Sequence, residues 1–401
     1  MHTSLPYPIV SADGHVSEPQ ELFSRLPKEL QARVQLGTQS VEGGSIMNLF
    51  GREFFIPDLH RELTTEELMR EFRQDSSGGR DLDKRLTLQA QDGVDAEVVF
   101  PNKFLALGAG ADCELNYALA KLYNDFVHET FSPRSDRFVA APIILVDDLD
   151  KAIVEAERCL KLGFRTLLLP CSCPWRPYDR PEYEPLWSLI EESGVPLNFH
   201  VFTGNVFLGT DFASVEYMTP DDFNTKEKSA GGVLERRERL STTVIGMAAG
   251  MGPIVHLTGG GVLERHPNLN FVVTEAECGW LAWTLQAMDA MQERRGLGIQ
   301  ELSMKPSEYF KRQGAVTICD DPVAINNLKF TGADNIMWGS DYPHDEGTYP
   351  NSQIHRQDII DAVTKEEAHK IFVGNAARIY GFDEQKLKSR PNCAGSPEVA
   401  K

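Results

Sequence analysis

The 401-residue chain is 41% hydrophobic and 25% charged, which excludes a largely disordered polypeptide and supplies apolar material for a large core. Its 59 acidic and 40 basic residues give a net charge of -19, so nucleic acid and anionic membranes are set aside as partners. Seven cysteines, an odd number scattered through apolar and helical segments, exclude a disulfide framework.

No apolar run approaches the roughly 18 residues of a spanning helix, and "MHTSLPYPIVSADGH" lacks the charged and apolar regions of a secretion signal. A cytoplasmic enzyme is the expectation. Short apolar runs ending in polar or loop residues recur in chain order: Pro8 to Asp13, Ala96 to Pro101, Phe138 to Leu145 and Phe164 to Pro170, then Val195 to His200, Asn270 to Glu275, Ala315 to Asp320 and Asn335 to Asp341. Near-continuous apolar strands of this kind are buried on both faces, as in a parallel sheet. Helical stretches lie between them at Cys113 to Phe131, Leu149 to Gly163 and Glu182 to Gly194, two of them ending in the glycine that follows a helix C-terminus. The alternation predicts an α/β fold, a (β/α)8 TIM barrel, with a doubly wound open sheet as the lesser alternative.

Two connections are long enough to carry function. Arg33 to Pro57, after the first strand, reads as a small hairpin insertion, and Thr203 to Leu240, after the fifth, reads as a lid-like insertion. One barrel domain over residues 1–384 and a polar tail over 385–401 are expected. "PCSCPW", with Cys171 and Cys173, has no partner CxxC and reads as loop residues.

Five polar residues close four of these strands. Asp13 and His15, two apart, share one strand face and form a candidate chelate. His200 closes strand five, Glu275 strand six and Asp341 strand eight. A barrel gathers these ends on its C-terminal rim, where active sites of such folds lie. Two imidazoles and three carboxylates converging there call for a divalent metal. Glu18, at the start of the next element, is placed to orient His15 from behind.

"SADGHVSEP", "NFHVFTG", "GGVLERHPNLNFVVTEAECGWLAW" and "IMWGSDYPH", in this order, resemble the amidohydrolase-2 family of metal-dependent barrels, which includes aminocarboxymuconate-semialdehyde decarboxylase and related aromatic-acid decarboxylases. The resemblance runs over nearly the whole chain, including "DGVDAEVVFPN" and "IFVGNAARIYGF". It implies Asp13 and His15 as the first ligand pair, His200 as a third ligand, and Asp341 as a ligand that also serves as acid or base. Catalysis is thereby assigned to His200 and Asp341. Dimers or tetramers are also implied, and a hetero-oligomer is compatible with it. The chain departs from the decarboxylase pattern at Asp13 and Glu275, where histidine is usual.

Three carboxylates contribute about -3 and one divalent ion +2, leaving a mononuclear site anionic. His256 and His344 are candidates for holding a second ion or for supporting the ligands. Zinc is the first expectation for the metal, with manganese or iron, and two ions, as the alternative. The expected activity is a metal-dependent hydrolase or non-oxidative decarboxylase acting on a small organic carboxylic or carbonyl substrate, in which the metal is a Lewis acid and Asp341 moves the proton. Phe202, Asn205 and Trp280 are candidate substrate contacts. A dinuclear iron or manganese oxygenase on the same fold and a noncatalytic partner subunit are the alternatives.

Overall fold

The computed structural model describes residues 5–41, 44–50, 52–57, 79, 81–107, 112–172, 176–204, 244, 246–298, 301–344 and 346–389. It is a mixed α/β architecture whose main sheets are parallel. The first apolar run forms β1 (Val10–Ser11) and β2 (His15–Val16). The insertion that follows is a three-stranded antiparallel meander, β3 (Leu36–Val41), β4 (Gly44–Leu49) and β5 (Arg52–Pro57), rather than one hairpin. Its second turn passes through Phe50, in left-handed backbone at φ 54, whose ring packs edge-on against Phe104 at 5.1 Å. That contact ties the meander to the main body.

The remaining strands are β6 (Ala96–Pro101), β7 (Phe138–Ala140), β8 (Leu167–Ser172), β9 (Leu197–Gly204), β10 (Phe271–Thr274), β11 (Gly314–Ile318) and β12 (Ile336–Trp338). β6 pairs in parallel with β1, β2 and β7, and β8 to β12 pair each with the next, also in parallel. Two parallel bridges, Ile143 to Leu168 and Gly14 to Tyr342, link the two sets. At the second link, the Ala12 amide donates to the Trp338 carbonyl at 2.8 Å.

Val98, Val99, Phe100, Phe199, Val272, Val273, Val316 and Met337 are fully buried, which explains the unbroken apolar runs. Each such side chain contributes about 1.5–3 kcal/mol over its exposed state. Helices flank the strands at Cys113–Phe131, Leu149–Leu162 and Glu184–Ser193, close to their expected bounds. Asp112 and Asp148 cap the first two by accepting from backbone N–H groups, and Gly163 and Gly194 take the left-handed conformation that ends the latter two.

The described structure runs across the expected boundary between domain and tail. Helix Glu384–Lys388 is capped by Asp383 and buries Leu387, so ordered structure passes residue 385. One apolar side chain in a polar stretch suffices to dock this turn. The lid-like insertion lies outside the described residues from position 205 to 243. Among the described residues, no helix is long and apolar enough to cross a membrane.

Candidate metal centre

The parallel pairing brings the strand ends together. His200 lies within β9 opposite Thr274 of β10, and Glu275 is the next residue beyond. His15 opens β2 opposite Phe100. Asp341 follows β12, where the Asp341 amide donates to the Asp13 carbonyl at 3.1 Å. Glu275 and Asp341 both hold left-handed backbone, at φ 59 and 57, as do Phe202 at 61 and Glu277 at 45. Non-glycine residues in that region cost of order 1–3 kcal/mol each and collect at functional sites. Here the strain turns two carboxylates inward.

The donors fall into two overlapping sets, Asp13, His15, His200 and Glu275, and His15, Glu275, Asp341 and His344, with every donor atom in a set within 4.8 Å of the others. Of the five residues expected as ligands, four form the first set, and Asp341 joins the second. His15 Nε2 lies 3.7 Å from Asp13 Oδ1, 3.4 Å from Glu275 Oε2 and 3.1 Å from Asp341 Oδ1. His200 Nε2 lies 3.6 Å from Asp13 Oδ1 and 3.0 Å from Glu275 Oε2, and His344 Nδ1 lies 2.9 Å from Asp341 Oδ1. Yet all six of these atoms are buried without a hydrogen-bond partner among the described residues.

Short separations without hydrogen-bond alignment mean that the atoms point at a common space rather than at one another. Donors about 2.0–2.2 Å from one ion stand roughly 3.0–3.6 Å apart, so the spacings fit a divalent metal. Buried polar atoms left unpaired cost about 1–3 kcal/mol each, which a cation would offset. The donor mixture, imidazole nitrogen with carboxylate oxygen, suits zinc, manganese or iron.

Backbone carbonyls set the imidazole tautomers. His15 Nδ1–H donates to the Pro101 carbonyl at 2.6 Å, and His200 Nδ1–H to the Val201 carbonyl at 2.9 Å, leaving each Nε2 lone pair facing the cluster. Burial opposes charge on both rings. The Asp341 and Glu275 carboxylates outweigh it at His15 and raise its pKa well above the ordinary value, while Glu275 and Asp13 push His200 up to about 9. Burial raises Asp13, whereas at Glu275 the two imidazoles overcome burial and hold its pKa well below the usual carboxylate range. A cation would take the place of these protons.

Several expected residues act elsewhere. Glu18 makes no hydrogen bond to His15; its carboxylate accepts from the Asn102 and Lys103 amides at 2.8 and 3.0 Å. It therefore clamps the turn after Pro101, and the Pro101 carbonyl is what orients His15. His256 belongs to neither donor set. It rides on helix Met251–Gly259, facing the Tyr178 ring at 6.5 Å, with Asp179 nearby. Trp280 spends its indole N–H on the Ala276 carbonyl at 2.9 Å, closing its own turn, and Phe202 is half-buried beside Gly246. Asn205 lies outside the described residues.

Other supports carry little sequence signal. Gly339 lets the chain after β12 approach Asp13, since a β-carbon there would lie 2.4 Å from Asp13 Cβ. Arg85, on helix Leu82–Asp92, donates from Nη1 to the His15 carbonyl and from Nε to Glu97, both at 2.7 Å. Glu97 was the one visible clue: a carboxylate inside the apolar run "AEVVFP" must find a buried partner.

Residues 57–382 match the family model described as Amidohydrolase. The chain belongs to the amidohydrolase family. This amidohydrolase-family chain is 23% identical over 321 residues to a gamma-resorcylate decarboxylase from Rhizobium radiobacter, covering 75% of the chain and 87% of the relative. Its fold is that of an amidohydrolase from Mycobacterium avium subsp. paratuberculosis K-10, with a TM-score of 0.69, 19% identity, and coverage of 94% of this chain and 100% of that one. It is also that of a dihydroxybenzoic acid decarboxylase from Polaromonas sp. JS666 with bound manganese and the inhibitor 2-nitroresorcinol, with a TM-score of 0.60, 17% identity, and coverage of 96% and 99%.

Proposed function

We propose that this amidohydrolase-family chain is a divalent-metal-dependent carboxy-lyase acting on a small aromatic or similarly activated carboxylic acid. The observation that carries the reading is the convergence of buried donor atoms, unpaired among the described residues, at the strand ends. The gamma-resorcylate decarboxylase and the manganese-containing Polaromonas enzyme support the reaction class and a metal such as manganese. The reading takes the strands as a closed (β/α)8 barrel, supported by the bridges at Ile143 and Gly14, and as one domain through helix Glu384–Lys388.

Asp13, His15, His200 and Glu275 would hold the ion. When bound, a divalent ion supplies Lewis acidity toward a substrate oxygen. Asp341, almost wholly buried with Oδ1 3.1 Å from His15 Nε2 and 2.9 Å from His344 Nδ1, would be the group that delivers the proton. The bond between substrate carbon and carboxylate breaks, its electron pair stays on the carbon, the Asp341 proton caps that carbon, and carbon dioxide leaves. Phe100, packed against His200 with ring centroids 4.9 Å apart, helps to exclude water. Phe202, Trp280 and Asn205 remain proposed substrate contacts.

Hydrolysis of a carbonyl substrate is the second reading, favoured by the acidic residues Asp13 and Glu275 where the decarboxylase pattern has histidine. Metal-loaded protein should be incubated with a panel of dihydroxybenzoates and, in parallel, with small esters and amides. Carbon dioxide release, with label exchange from bicarbonate, supports the carboxy-lyase. Turnover of the acyl compounds alone moves the assignment to hydrolysis, and turnover of neither removes both.

A further inference from the structure

We infer that Asp92, Ser352 and Thr348, outside both donor sets, are positioning residues that hold Asp341 at the centre through a buried chain of hydrogen bonds. This rests on the carboxy-lyase reading above, in which Asp341 delivers the proton.

Asp341 needs such support. Its left-handed backbone, at φ 57, costs of order 1–3 kcal/mol and persists only where the surroundings over-determine it. The bond from its amide to the Asp13 carbonyl fixes only one side of the residue. On the other side the chain folds back: the His344 amide donates to the Asp341 carbonyl at 2.9 Å, and the Thr348 amide to the Ser340 carbonyl, also at 2.9 Å. Gly347 packs so tightly there that a β-carbon would lie 2.7 Å from the Ser340 carbonyl oxygen and 3.0 Å from that of Asp341. Gly347 and Thr348 thus form a strap across the Asp341 backbone.

The strap is anchored at Asp92. The Thr348 hydroxyl lies 2.8 Å from that of Ser352, and Ser352 meets Asp92 twice, its amide donating to Oδ1 at 3.2 Å and its hydroxyl to Oδ2. A carboxylate only accepts, so Ser352 gives it the hydroxyl proton and must itself accept from Thr348. Thr348, Ser352 and Asp92 are 3%, 0% and 3% exposed, so water does not replace these links. Ser352 opens helix Ser352–Ala362, whose N-cap residue Asn351 makes no side-chain capping bond, and the Asp92 carboxylate takes that role from across the fold. Asp92 ends helix Leu82–Asp92, and Arg356 Nη2 donates to its carbonyl at 2.9 Å, which locks the two helices end to end.

Beyond the strap, the Ser340 amide donates to Ser11 Oγ at 2.8 Å, and the Ser11 hydroxyl donates to the Asp13 carbonyl at 2.6 Å. One buried chain therefore runs from Asp92 to the residues beside Asp341 and Asp13. Cutting it at Thr348 or Ser352 frees the strap, and with it the backbone angle that aims the Asp341 carboxylate.

Three variants test this. Thr348→Val keeps the side-chain shape and removes the hydroxyl, Thr348→Ser keeps the hydroxyl, and Ser352→Ala cuts the next link. The readouts are hydrogen exchange in peptides spanning residues 340–348, manganese content, and kcat and KM for a dihydroxybenzoate. Thr348→Val and Ser352→Ala are expected to speed exchange in those peptides about tenfold or more relative to β9. Both should lower kcat about tenfold or more, with KM and manganese content near native. Thr348→Ser should match the native protein. Native exchange in Thr348→Val and Ser352→Ala overturns the inference, and so does faster exchange with unchanged kcat. Faster exchange spread evenly over the chain, or a Thr348→Ser variant as impaired as Thr348→Val, also overturns it, since the chain would then serve stability alone. If the native protein turns over no dihydroxybenzoate, the carboxy-lyase reading falls, and exchange over residues 340–348 alone supports or overturns the strap.

Discussion

Glu97 presses so closely on Gly14 that a β-carbon at position 14 would lie 2.0 Å from Glu97 Oε1. Gly14 is therefore the spacer that lets Asp13 and His15 straddle a buried carboxylate. Glu97 cannot swing aside, because its Oε2 accepts from Arg85 Nε at 2.7 Å and from Gln89 Nε2 at 2.8 Å. Gly14→Ala is expected to lose about 2–4 kcal/mol of stability through overpacking and loss of that network. Metal affinity should fall in parallel, as measured by urea denaturation and by metal titration of the folded fraction.

The Arg85–Glu97 pair is about 1% exposed on each side. Removing one partner of such a pair costs about 3–5 kcal/mol, whereas replacing both with apolar groups of similar size costs far less. Arg85→Met and Glu97→Leu singly should each drop the denaturation midpoint sharply, and the double variant should recover most of it. Because Arg85 also holds the His15 carbonyl, metal affinity should stay reduced in the double variant, which separates positioning from stability.

Much of this centre was readable in the chain. The two-residue spacing of Asp13 and His15, and the polar residues closing apolar strands at His200, Glu275 and Asp341, announce side chains that parallel pairing must gather. What stayed hidden depends on main chain or on three-dimensional approach. The Pro101 carbonyl that orients His15 has no side-chain signature, so the nearby Glu18 took its place in the sequence reading. Arg85 sits on a helix whose polar residues look solvated until Glu97 claims one. His256 shows the converse: a histidine near a strand start in sequence, but facing Tyr178 and Asp179 in space.

Asp341→Asn keeps the shape of the side chain and removes its proton transfer. Turnover should fall by roughly 10²–10⁴-fold, while the ion held by Asp13, His15, His200 and Glu275 is retained. Steady-state rates and metal content on the same sample decide it; unchanged turnover would remove Asp341 from the chemistry.

Stripping divalent ions with a chelator should abolish turnover and lower the thermal midpoint. An ion at 1,000 times its dissociation constant stabilises the folded chain by about 4 kcal/mol. Re-addition of manganese should restore both quantities, as followed by calorimetry.

Burial pushes Asp92 up to about 6, against the favourable contacts from Ser352 and Arg356. A pKa raised on folding contributes stability that is complete below the unfolded value near 3.8 and is lost as pH rises through about 6. Asp92→Asn should flatten that part of the stability profile, measured by denaturation between pH 4 and pH 7, chosen as roughly one unit beyond the window on its upper side.

The central claim is that the gathered strand ends bind a divalent cation. Crystals grown with manganese, with data collected at its absorption edge, test it most directly. The account expects an anomalous peak enclosed by Asp13, His15, His200 and Glu275. Well-ordered side chains at these four positions with no peak between them would contradict it.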